Sequence, residues 1–362
     1  MKVLFVFNHP APYKVRLFNE LANHIDLHVI FERTNAKDRP DAFYNAKHYK
    51  FKCTFLRKGA FGRENSNTNE LRKFISEHHH EYNVIIMNGY STLTEMKAIK
   101  FMRSHYIPFV LYINGGVVRK EPRWKYHLKH SYISSAWKYI SPCEEADQYL
   151  KYYGAKQEEI FHYPYSTFYD EDIVRKVLSK EDKQKIRDAY HLPEGKLFVS
   201  AGQFIERKNN LEILKHFVNR EENIVLVGSG KEEKKYLKFI KRNKMKNAFV
   251  ISFLEKAKLF ELLRACDYFI TLSKEDIYGH TTNEAMANGL GVISSNRVVS
   301  SLHLIKEGYN GFLVDLYQPE QIDKAIDEVN EKMQTNAIKT AKKNTIENTV
   351  KAHLKIFEEL AK

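Results

Sequence analysis

Short apolar segments alternate with amphipathic segments along the chain, and this alternation constrains the fold more than any other feature. Apolar runs of strand length that alternate with helical patterns are typical of βαβ units and a parallel sheet. A helix is predicted near Lys14–Asn23. The predicted strands are 2–7, 26–31, 83–87, 108–113 and 159–163 in the first half, and 196–201, 223–227, 248–252, 267–272 and 291–294 in the second.

A highly charged segment separates these two sets of strands. Residues 170–195 are predicted to be helical, and 362 residues exceed the size of one typical core. We therefore predict an α/β protein with an N-terminal Rossmann-like domain at 1–168 and a second one at 169–345. The linker is expected within 165–195. The Lys-rich tail, 318–362, is predicted to be helical.

The composition excludes several classes of protein. At 43% hydrophobic and 28% charged residues the chain is globular. No apolar run approaches the 18 or so residues of a membrane-spanning helix, and the apolar start is interpreted as a strand rather than a signal peptide. Three widely spaced cysteines favour a reducing cytosol, without disulfides and without metal-ligand spacing. We therefore expect a cytoplasmic protein.

The formal net charge of +13 is a strong bias toward anionic partners. Nucleic acid, an anionic membrane and anionic small ligands are the options. No recognised nucleic-acid motif accompanies the charge, so no nucleic-acid partner is predicted. The run His78-His79-His80 is interpreted as solvated surface, because three consecutive histidines do not all face one way on a helix. No metal site is predicted.

The stretch 273–290 holds the densest set of candidate ligand-binding residues. It follows the apolar run 268–272 and leads into a predicted helix that begins near Glu284. Ligands bind at the carboxyl ends of strands in open α/β sheets, and a helix N-terminus attracts anions. Asp276 and Glu284 flank this loop. Carboxylates beside an anion site suit a ligand with both phosphate and hydroxyl groups, such as a sugar nucleotide. The alternative is an ordinary strand–loop–helix.

Two further strand ends carry residues suited to a phosphate ligand. Arg207 and Lys208 follow the strand 196–201, and a guanidinium fork beside an ammonium suits a diphosphate. The alternative is a solvated basic pair. Gly228 and Gly230 follow the strand 223–227, where glycines allow close approach of the backbone to a ligand or form a plain tight turn.

These segments together resemble the family 4 retaining glycosyltransferases, or glycosyl transferase group 1. The signature at 276–289 is an acid, two residues, Gly, four residues, Glu-Ala-Met-Ala, one residue and Gly. The resemblance covers most of 196–315 and extends more loosely over the N-terminal half. It implies the GT-B architecture, in which two Rossmann-like domains face each other across a cleft. It also implies a C-terminal helix, 346–362, that crosses back to the first domain.

The resemblance assigns a role to each matching residue. Asp276 would bind donor-sugar hydroxyls, and Arg207 with Lys208 would bind the diphosphate. The remaining donor contacts would be backbone N–H groups at Gly279, His280, Thr281 and Thr282, the ribose contact at Glu284, the nucleotide loop at Gly228, and the nucleobase contacts at Phe253 and Leu254.

The chain departs from the family at several of these positions. Asp276 replaces the usual Glu, Asn209 the usual Gly, Gln203 an additional Arg found in many members, and His303 a frequent Glu. The first two departures fall inside the proposed donor site. The shorter carboxylate of Asp276 is expected to tune which sugar is held.

The acceptor side is expected in the N-terminal domain. His9 follows the first strand, where it would contact phosphate or the acceptor, or else stabilise a turn. Asn114 and Gly115 follow the strand 108–113. Many family members have a His or Asp near the second position. Asn114 cannot act as a general base, which argues against a side-chain base. Ser141 resembles a family serine at a strand-to-helix junction, or it simply caps a helix that begins near Glu144.

The implied reaction is retaining transfer, without a metal ion or a cofactor. The donor is a nucleoside-diphosphate sugar, most commonly a UDP- or GDP-sugar, and the acceptor is a glycan or polyprenyl-linked glycan in bacterial surface polysaccharide synthesis, such as lipopolysaccharide or capsule. The departing phosphate would take the acceptor's proton at the front face. Alternatives are an epimerase-like GT-B enzyme and a non-catalytic nucleotide-binding protein.

The segment 117–139 mixes basic and aromatic residues, including Trp124 and Trp137, the only tryptophans of the chain. Such segments suit an anionic bilayer surface, which predicts peripheral contact with the inner face of the cell membrane. The alternative is a helix packed in the first domain with its aromatic side chains inward.

Overall fold

The structure, a computed structural model, describes residues 1–37, 44, 48–62 and 65–362. The chain forms two compact units. The N-terminal domain consists of residues 1–167 and 345–362, and the C-terminal domain of residues 168–344. Each domain is a parallel sheet with helices, so the α/β prediction of two Rossmann-like domains is confirmed.

The N-terminal domain contains a seven-stranded parallel sheet in the order β3-β2-β1-β4-β5-β6-β7. Its strands are β1 (Lys2–Phe7), β2 (Asp26–Ala36), β3 (Lys52–Phe61), β4 (Val84–Met87), β5 (Val110–Tyr112), β6 (Lys138–Ser141) and β7 (Ile160–His162). Its first helices are α1 (Pro12–Leu21), α2 (Glu70–His78), α3 (Leu93–Ser104), α4 (Arg123–Ile133) and α5 (Glu144–Tyr152). Strand β1 is apolar on both faces because it lies inside the sheet with layers on each side.

The C-terminal domain contains a six-stranded parallel sheet in the order β10-β9-β8-β11-β12-β13. Its strands are β8 (Leu197–Ala201), β9 (Asn223–Val227), β10 (Ala248–Ile251), β11 (Tyr268–Thr271), β12 (Gly291–Ser295) and β13 (Gly311–Val314). Its helices are α6 (Lys180–Ala189), α7 (Asn210–His216), α8 (Glu233–Arg242), α9 (Lys256–Ala265), α10 (His280–Ala287), α11 (Val299–Leu304), α12 (Pro319–Glu328) and α13 (Glu331–Ala341).

The strand order of each sheet reverses once, and the reversal marks a crevice. In the C-terminal sheet the chain runs outward from β8 through β9 to β10 and then continues at β11 on the other side of β8. In the N-terminal sheet the same reversal lies between β1 and β4. Loops leave in opposite directions at such a point, which opens a ligand-sized gap at the carboxyl ends of the two strands.

The last helix, α14 (Ile346–Leu360), belongs to the N-terminal domain, as the resemblance implied for a returning helix. It packs on α1, and the ring of His353 lies 4.8 Å from that of Tyr163. The hydroxyl of Thr349 donates to the carbonyl of Pro164, which joins the start of α14 to the end of the first N-terminal segment.

Several local predictions differ from the structure. Strands β3, β6 and β13 were not predicted, and β2 extends to Ala36. Strand β3 lies at a sheet edge and is interrupted by charges, so it lacks an apolar run. The prediction that Ser141 caps a helix is wrong. Cys143 is the N-cap residue of α5, and the Ser141 hydroxyl donates to its carbonyl instead.

Candidate functional site

The candidate donor site lies at the crevice between β8 and β11 in the C-terminal domain. The loop after β8 carries Arg207 and Lys208 in a short 3-10 helix, and the loop after β11 carries Asp276. The two loops are joined directly, because the N–H of Lys274 donates to the carbonyl of Arg207 over 2.9 Å. The parallel pairing of β8 with β11 therefore places residues about 70 positions apart in contact.

Lys208 and Asp276 form the central contact of this site. The Lys208 ammonium lies 2.6 Å from Asp276 Oδ2, and the two side chains are 13% and 15% exposed. Arg207 is more open, at 40% exposure. Its Nη1 donates to the Glu275 carbonyl over 2.6 Å and lies 3.4 Å from Asp276 Oδ2. Two cations thus converge on one largely buried carboxylate.

The electrostatic surroundings keep Asp276 ionised. Burial by itself would raise the pKa of this carboxyl, but the charge and hydrogen bond of Lys208, with Arg207 and then His280, outweigh it and hold the pKa below its ordinary value. An ammonium has three N–H donors, and Asp276 uses one of those of Lys208. The remaining donors are available to an anionic ligand.

Glycines interlock the loops that follow β8 and β9. A Cβ added to Gly228, at φ +149°, would lie 1.9 Å from the carbonyl oxygen of Gly202, and one added to Gly230 would lie 2.5 Å from that of Phe204. The stem of Lys208 packs beside Gly202, at 3.6 Å from a Cβ added there. Position 228 therefore requires glycine, because the loops after β8 and β9 touch there. This contact in turn supports the loop that carries Lys208.

The backbone conformation at position 209 explains why asparagine is tolerated there. Its φ of +57° and ψ of +30° are left-handed, and it joins the 3-10 helix of Arg207 and Lys208 to α7. Glycine adopts this conformation without strain, and Asn tolerates it better than most other residues. The replacement of the usual glycine by Asn209 therefore leaves the geometry of the basic loop intact.

The N-terminus of α10 forms the other wall of the crevice. Gly279 precedes the helix at φ +88°, and a Cβ added there would lie 2.5 Å from Val298 and 3.5 Å from the carboxyl carbon of Asp276. The first turn of a helix has N–H groups without intrahelical acceptors, and the helix dipole makes this end attractive to anions. His280 and Thr281 lie in that turn, both half-buried.

Thr282 is placed differently from its neighbours. Its side chain is fully buried, its hydroxyl lies 2.8 Å from that of Ser301, and its N–H donates to the Gly279 carbonyl over 3.2 Å. The hydroxyl of Ser300 donates to the same carbonyl. Thr282 thus braces the helix start, while His280 and Thr281 lie nearer to the open end.

The predicted nucleotide contacts lie at the borders of the crevice. Glu284 is half-buried on α10, four residues beyond His280. Phe253 and Leu254 follow β10, which is separated from β8 by β9. Phe253 is 56% exposed, whereas Leu254 packs partly against the hydrophobic core. The contacts described above join Gly228, Lys208, Asp276 and Gly279 but do not include these three residues.

Amide side chains follow the two central strands of the N-terminal domain. Asn8 follows β1 and Asn88 follows β4, and both are buried. The side-chain amide of Asn114 donates to that of Asn88 over 2.9 Å. Gly115 follows at φ +130°. His9 is held through its Nδ1, which lies 3.2 Å from the Tyr44 hydroxyl.

Sequence reasoning missed the residues that support the donor loop. Asp276 forms a parallel bridge with Val298, and its N–H donates to the carbonyl of Arg297. Ser300 and Ser301 hold Gly279 and Thr282. The available signal was the pair Ser300-Ser301, which lies a few residues beyond the predicted strand 291–294, where a second loop reaches the same sheet edge.

The C-terminal domain is similar in sequence to known glycosyltransferases. The family model described as glycosyl transferases group 1 matches residues 182–344. An uncharacterised glycosyltransferase of Methanocaldococcus jannaschii is 25% identical over 171 residues, which are 46% of this chain. The aligned region spans about half, 48%, of the length of that relative.

Solved structures match the fold of the whole chain. A glycosyltransferase from Rickettsia africae aligns with a TM-score of 0.77 and 15% identity over 100% of this chain and 98% of its own. The HepE protein of Anabaena, determined in complex with UDP, aligns with a TM-score of 0.77 and 17% identity over the full length of both chains. The chain therefore has the GT-B fold, and residues 182–344 of its C-terminal domain match the glycosyl transferases group 1 family model.

Proposed function

We propose that this protein is a glycosyltransferase that takes a sugar from a nucleoside-diphosphate sugar and transfers it with retention of anomeric configuration. The observation that supports this most strongly is the cluster of Arg207, Lys208 and Asp276 at the β8–β11 crevice, beside the N-terminus of α10. It combines two cations, a helix N-terminus and one ionised carboxylate within a few ångströms. A sugar diphosphate needs these groups together.

Arg207 and Lys208 would bind the diphosphate of the donor. When the bond between the anomeric carbon and the diphosphate breaks, negative charge develops on the leaving oxygen. Cations and N–H donors held in place beforehand stabilise that charge without reorganisation. The half-exposed Arg207 offers a bidentate fork, whereas the more buried Lys208 supplies a point charge.

Asp276 would accept hydrogen bonds from hydroxyls of the donor sugar. It remains ionised at neutral pH because Lys208 holds its pKa low, so both of its oxygens act only as acceptors. Its carboxylate is one methylene shorter than the glutamate usual at this position. Glu284, one helical turn into α10, would bind the ribose hydroxyls.

The transfer would proceed at one face of the sugar ring. The acceptor oxygen forms the new bond on the side from which the diphosphate leaves, and its proton passes to the departing phosphate oxygen. Asn114 is an amide and does not accept that proton, but it can orient an acceptor hydroxyl. In the described part of the chain, its Oδ1 accepts no hydrogen bond.

A donor screen tests the nucleotide part of this proposal. UDP- and GDP-sugars are the expected classes, and a UDP complex of a GT-B protein with the same fold favours UDP. Thermal-shift measurement across UDP-, GDP- and ADP-sugars should reveal one base that stabilises the protein well above the others. A transfer assay with the best donor then follows release of the nucleoside diphosphate.

The double variant Arg207→Ala/Lys208→Ala provides the test of the site. Each substitution is expected to remove about 1.5–3 kcal/mol of donor interaction, which is the scale of a hydrogen bond to a charged group. Donor turnover should therefore fall by at least tenfold. Full activity in the double variant would rule out this site as the position of the diphosphate.

The acceptor is proposed to be a glycan, free or linked to a polyprenyl carrier, in bacterial surface polysaccharide synthesis. Helix α4 supports contact with a membrane-borne acceptor. Trp124 and Leu128, four residues apart on one face, are 64% and 41% exposed, with basic residues Arg123 and Lys125 beside them. The alternative of inward-facing aromatics does not describe Trp124. An apolar and basic face of this kind suits an anionic bilayer.

A flotation assay tests this contact on the full chain. The wild-type protein should float with vesicles that contain phosphatidylglycerol, and Trp124→Ser/Leu128→Ser should float less, because the variant lacks the inserted apolar side chains. The matched control is Tyr106→Ser, which removes an aromatic ring that is 94% exposed beyond the end of α3. Equal flotation of all three proteins would contradict the role of α4.

A further inference from the structure

Helix α8 and the residues on either side of it form a strongly basic surface in the C-terminal domain. Residues 231–246 contain eight exposed basic side chains. The acids of this segment, Glu232 and Glu233, are half-buried at its beginning, and Glu232 pairs with Lys235 over 3.1 Å. The α8 surface consists of Lys231, Lys234, Lys235, Lys238, Lys241, Arg242, Lys244 and Lys246.

The opposite side of α8 fixes the direction in which this surface points. Tyr236 is buried, and Phe239 and Ile240 pack against the hydrophobic core of the domain. Positions 234, 238 and 241 lie on the other face, because residues three and four apart share one side of a helix. The apolar stripe of α8 is therefore buried in the core, and Lys234, Lys238 and Lys241 point away from the domain.

An apolar side chain lies within this row of lysines. Leu237 is 49% exposed and is flanked on the helix surface by Lys234, Lys238 and Lys241. It is absent from the core that Tyr236, Phe239 and Ile240 join. On an anionic bilayer this leucine could insert below the headgroups while the lysine ammonium groups stay at the surface.

Helix α6 of the same domain carries acidic residues among its basic ones. In α6 the acids Asp182 and Asp188 alternate with basic residues, and Asp182 pairs with Lys185 over 3.0 Å. On α8, Lys234, Lys238 and Lys241 make no ion pair with any residue that the structure describes. Like charges four apart, such as Lys234 and Lys238, weaken an isolated helix. A polyanion on this face would relieve that repulsion.

We propose that the α8 surface binds an anionic lipid bilayer as a contact separate from that of α4 and independent of the transfer chemistry. A basic residue near an anionic membrane strengthens partition by about fivefold, and eight such residues make a strong attraction at moderate salt. Nucleic acid fits less well. Binding of single strands relies on exposed aromatic rings, and the rings of this segment, Tyr236 and Phe239, face the core.

The test compares two variants of the full chain that lose the same number of charges. Lys234→Gln/Lys238→Gln/Lys241→Gln removes the outward row and leaves Lys235 and the donor loop unchanged. The control, Lys332→Gln/Lys351→Gln/Lys355→Gln, removes three exposed lysines from α13 and α14. Sedimentation with phosphatidylglycerol–phosphatidylcholine vesicles should show the first variant at least about tenfold weaker in partition, from three losses of about fivefold each. The control should change by less than about threefold.

Two further measurements distinguish binding through the α8 surface from attraction by the overall charge of the protein. The difference between the variants should vanish near 1 M salt, because screening shortens electrostatic reach to a few ångströms. Leu237→Ser, which changes no charge, should weaken partition by a smaller factor that salt does not remove. Circular dichroism and thermal unfolding of each variant verify that it is folded as the wild type is.

Three results would overturn the proposal. The two triple variants would lose partition equally if only overall charge mattered. The first variant would bind vesicles as the wild type does if α8 made no contact. A short DNA duplex would bind in an α8-dependent manner, with no α8-dependent binding of vesicles, if the partner were nucleic acid.

Discussion

The crevices of the two domains occupy equivalent positions in their sheets but differ in the side chains that follow their central strands. In the C-terminal domain the gap between β8 and β11 holds Arg207, Lys208 and the ionised Asp276. In the N-terminal domain the gap between β1 and β4 is lined by the amides of Asn8 and Asn88. The C-terminal sheet therefore has a charged edge, whereas amides follow the central strands of the N-terminal sheet.

This difference fits the proposed roles of the two domains, with the donor at the C-terminal domain and the acceptor at the N-terminal domain. A diphosphate needs cations and N–H groups fixed before it binds, so the charged edge suits the donor. An acceptor hydroxyl needs hydrogen bonds and no net charge, which amides such as Asn114 supply. The rigid, interlocked glycines of the C-terminal crevice serve the same purpose, because they hold Lys208 in place without the ligand.

The largest expected effect tests how rigid the charged edge is. Gly228→Ala should destabilise the C-terminal domain by about 3 kcal/mol or more, because the new Cβ would lie 1.9 Å from the Gly202 carbonyl at a strained φ of +149°. Chemical denaturation followed by circular dichroism measures the free energy of unfolding.

Gly308→Ala is the matched control for this substitution. Gly308 also has a positive φ, +67°, but nothing lies within 4 Å of an added Cβ. Its cost should therefore be limited to the backbone strain of about 1–2 kcal/mol. Equal losses in the two variants would show that the interlocking of the β8 and β9 loops contributes nothing.

The second effect tests which cation of the charged edge acts on the donor. Lys208→Ala should weaken donor binding by about 1.5–3 kcal/mol, because it removes a charged hydrogen bond and leaves Asp276 less compensated. Lys274→Ala, which removes a half-exposed lysine paired with Glu206, should change binding by about 0.5 kcal/mol or less. Titration calorimetry with the best donor measures both, and similar losses would contradict the assignment to Lys208.

The third effect compares the two domains in acid. Burial lowers the pKa of His353 on α14 to about 3, with a further contribution from Lys14, since the charged ring would be desolvated. The unfolded chain binds that proton below its ordinary pKa of 6.5, so stability is full above pH 6.5 and is lost as the pH falls. The loss should reach about 2 kcal/mol at pH 5, at about 1.4 kcal/mol per unit.

The variant His353→Gln isolates this contribution from other titrating groups. Between pH 7 and pH 5 its free energy of unfolding should fall by about 2 kcal/mol less than that of the wild type. Trp124 and Trp137 both lie in the N-terminal domain, so tryptophan fluorescence during urea denaturation follows that domain. The control, His24→Gln, changes an exposed histidine and should leave the wild-type profile intact. Parallel profiles for His353→Gln and the wild type would refute the assignment.

Asp276 also loses stabilisation as the pH falls, but in a lower pH range than His353. Its folded pKa lies below its ordinary value of 3.8, so the stabilisation by Lys208 is present above that pH and is lost only as the pH falls further. The charged edge should therefore keep its ion pair through the range in which the N-terminal domain weakens. Donor binding that declined between pH 6.5 and 5 through protonation of Asp276 would contradict this order.

The smallest effect tests the departure at Asn209. Asn209→Gly should leave stability and donor binding nearly unchanged, because glycine adopts the left-handed conformation freely. Asn209→Ala should destabilise by about 1 kcal/mol, the strain of a left-handed residue with a Cβ. Thermal unfolding of the two variants provides the measurement, and identical midpoints would show that this conformation is unimportant.

The sequence predicted the two-domain architecture because apolar strands alternate with helices so regularly. It did not predict β3, whose charges interrupt the alternation, or β6, which is short and lies next to the basic and aromatic segment. These strands form through pairing with neighbours that are distant along the chain. Local pattern does not reveal such pairing.

The sequence indicates which residues are candidates for the site, but it does not indicate which of them touch each other. The acid at 276 and the basic pair at 207–208 stand out because each lies in a loop that follows a strand. Their direct ion pair follows only from the strand order, which places β11 beside β8. Nothing local in the sequence indicates that Thr282 faces Ser301 or that Gly228 touches Gly202. Those contacts depend on which loops share a sheet edge.

The central claim is that Lys208 recognises the diphosphate, and one thermodynamic cycle tests it most directly. The nucleoside diphosphate that binds best in the donor screen and its parent nucleoside are titrated into the wild type and Lys208→Ala by calorimetry. In the wild type the diphosphate should bind more tightly than the nucleoside, and Lys208→Ala should reduce that advantage by about 1.5–3 kcal/mol while nucleoside binding stays the same. An unchanged advantage in Lys208→Ala would contradict the account.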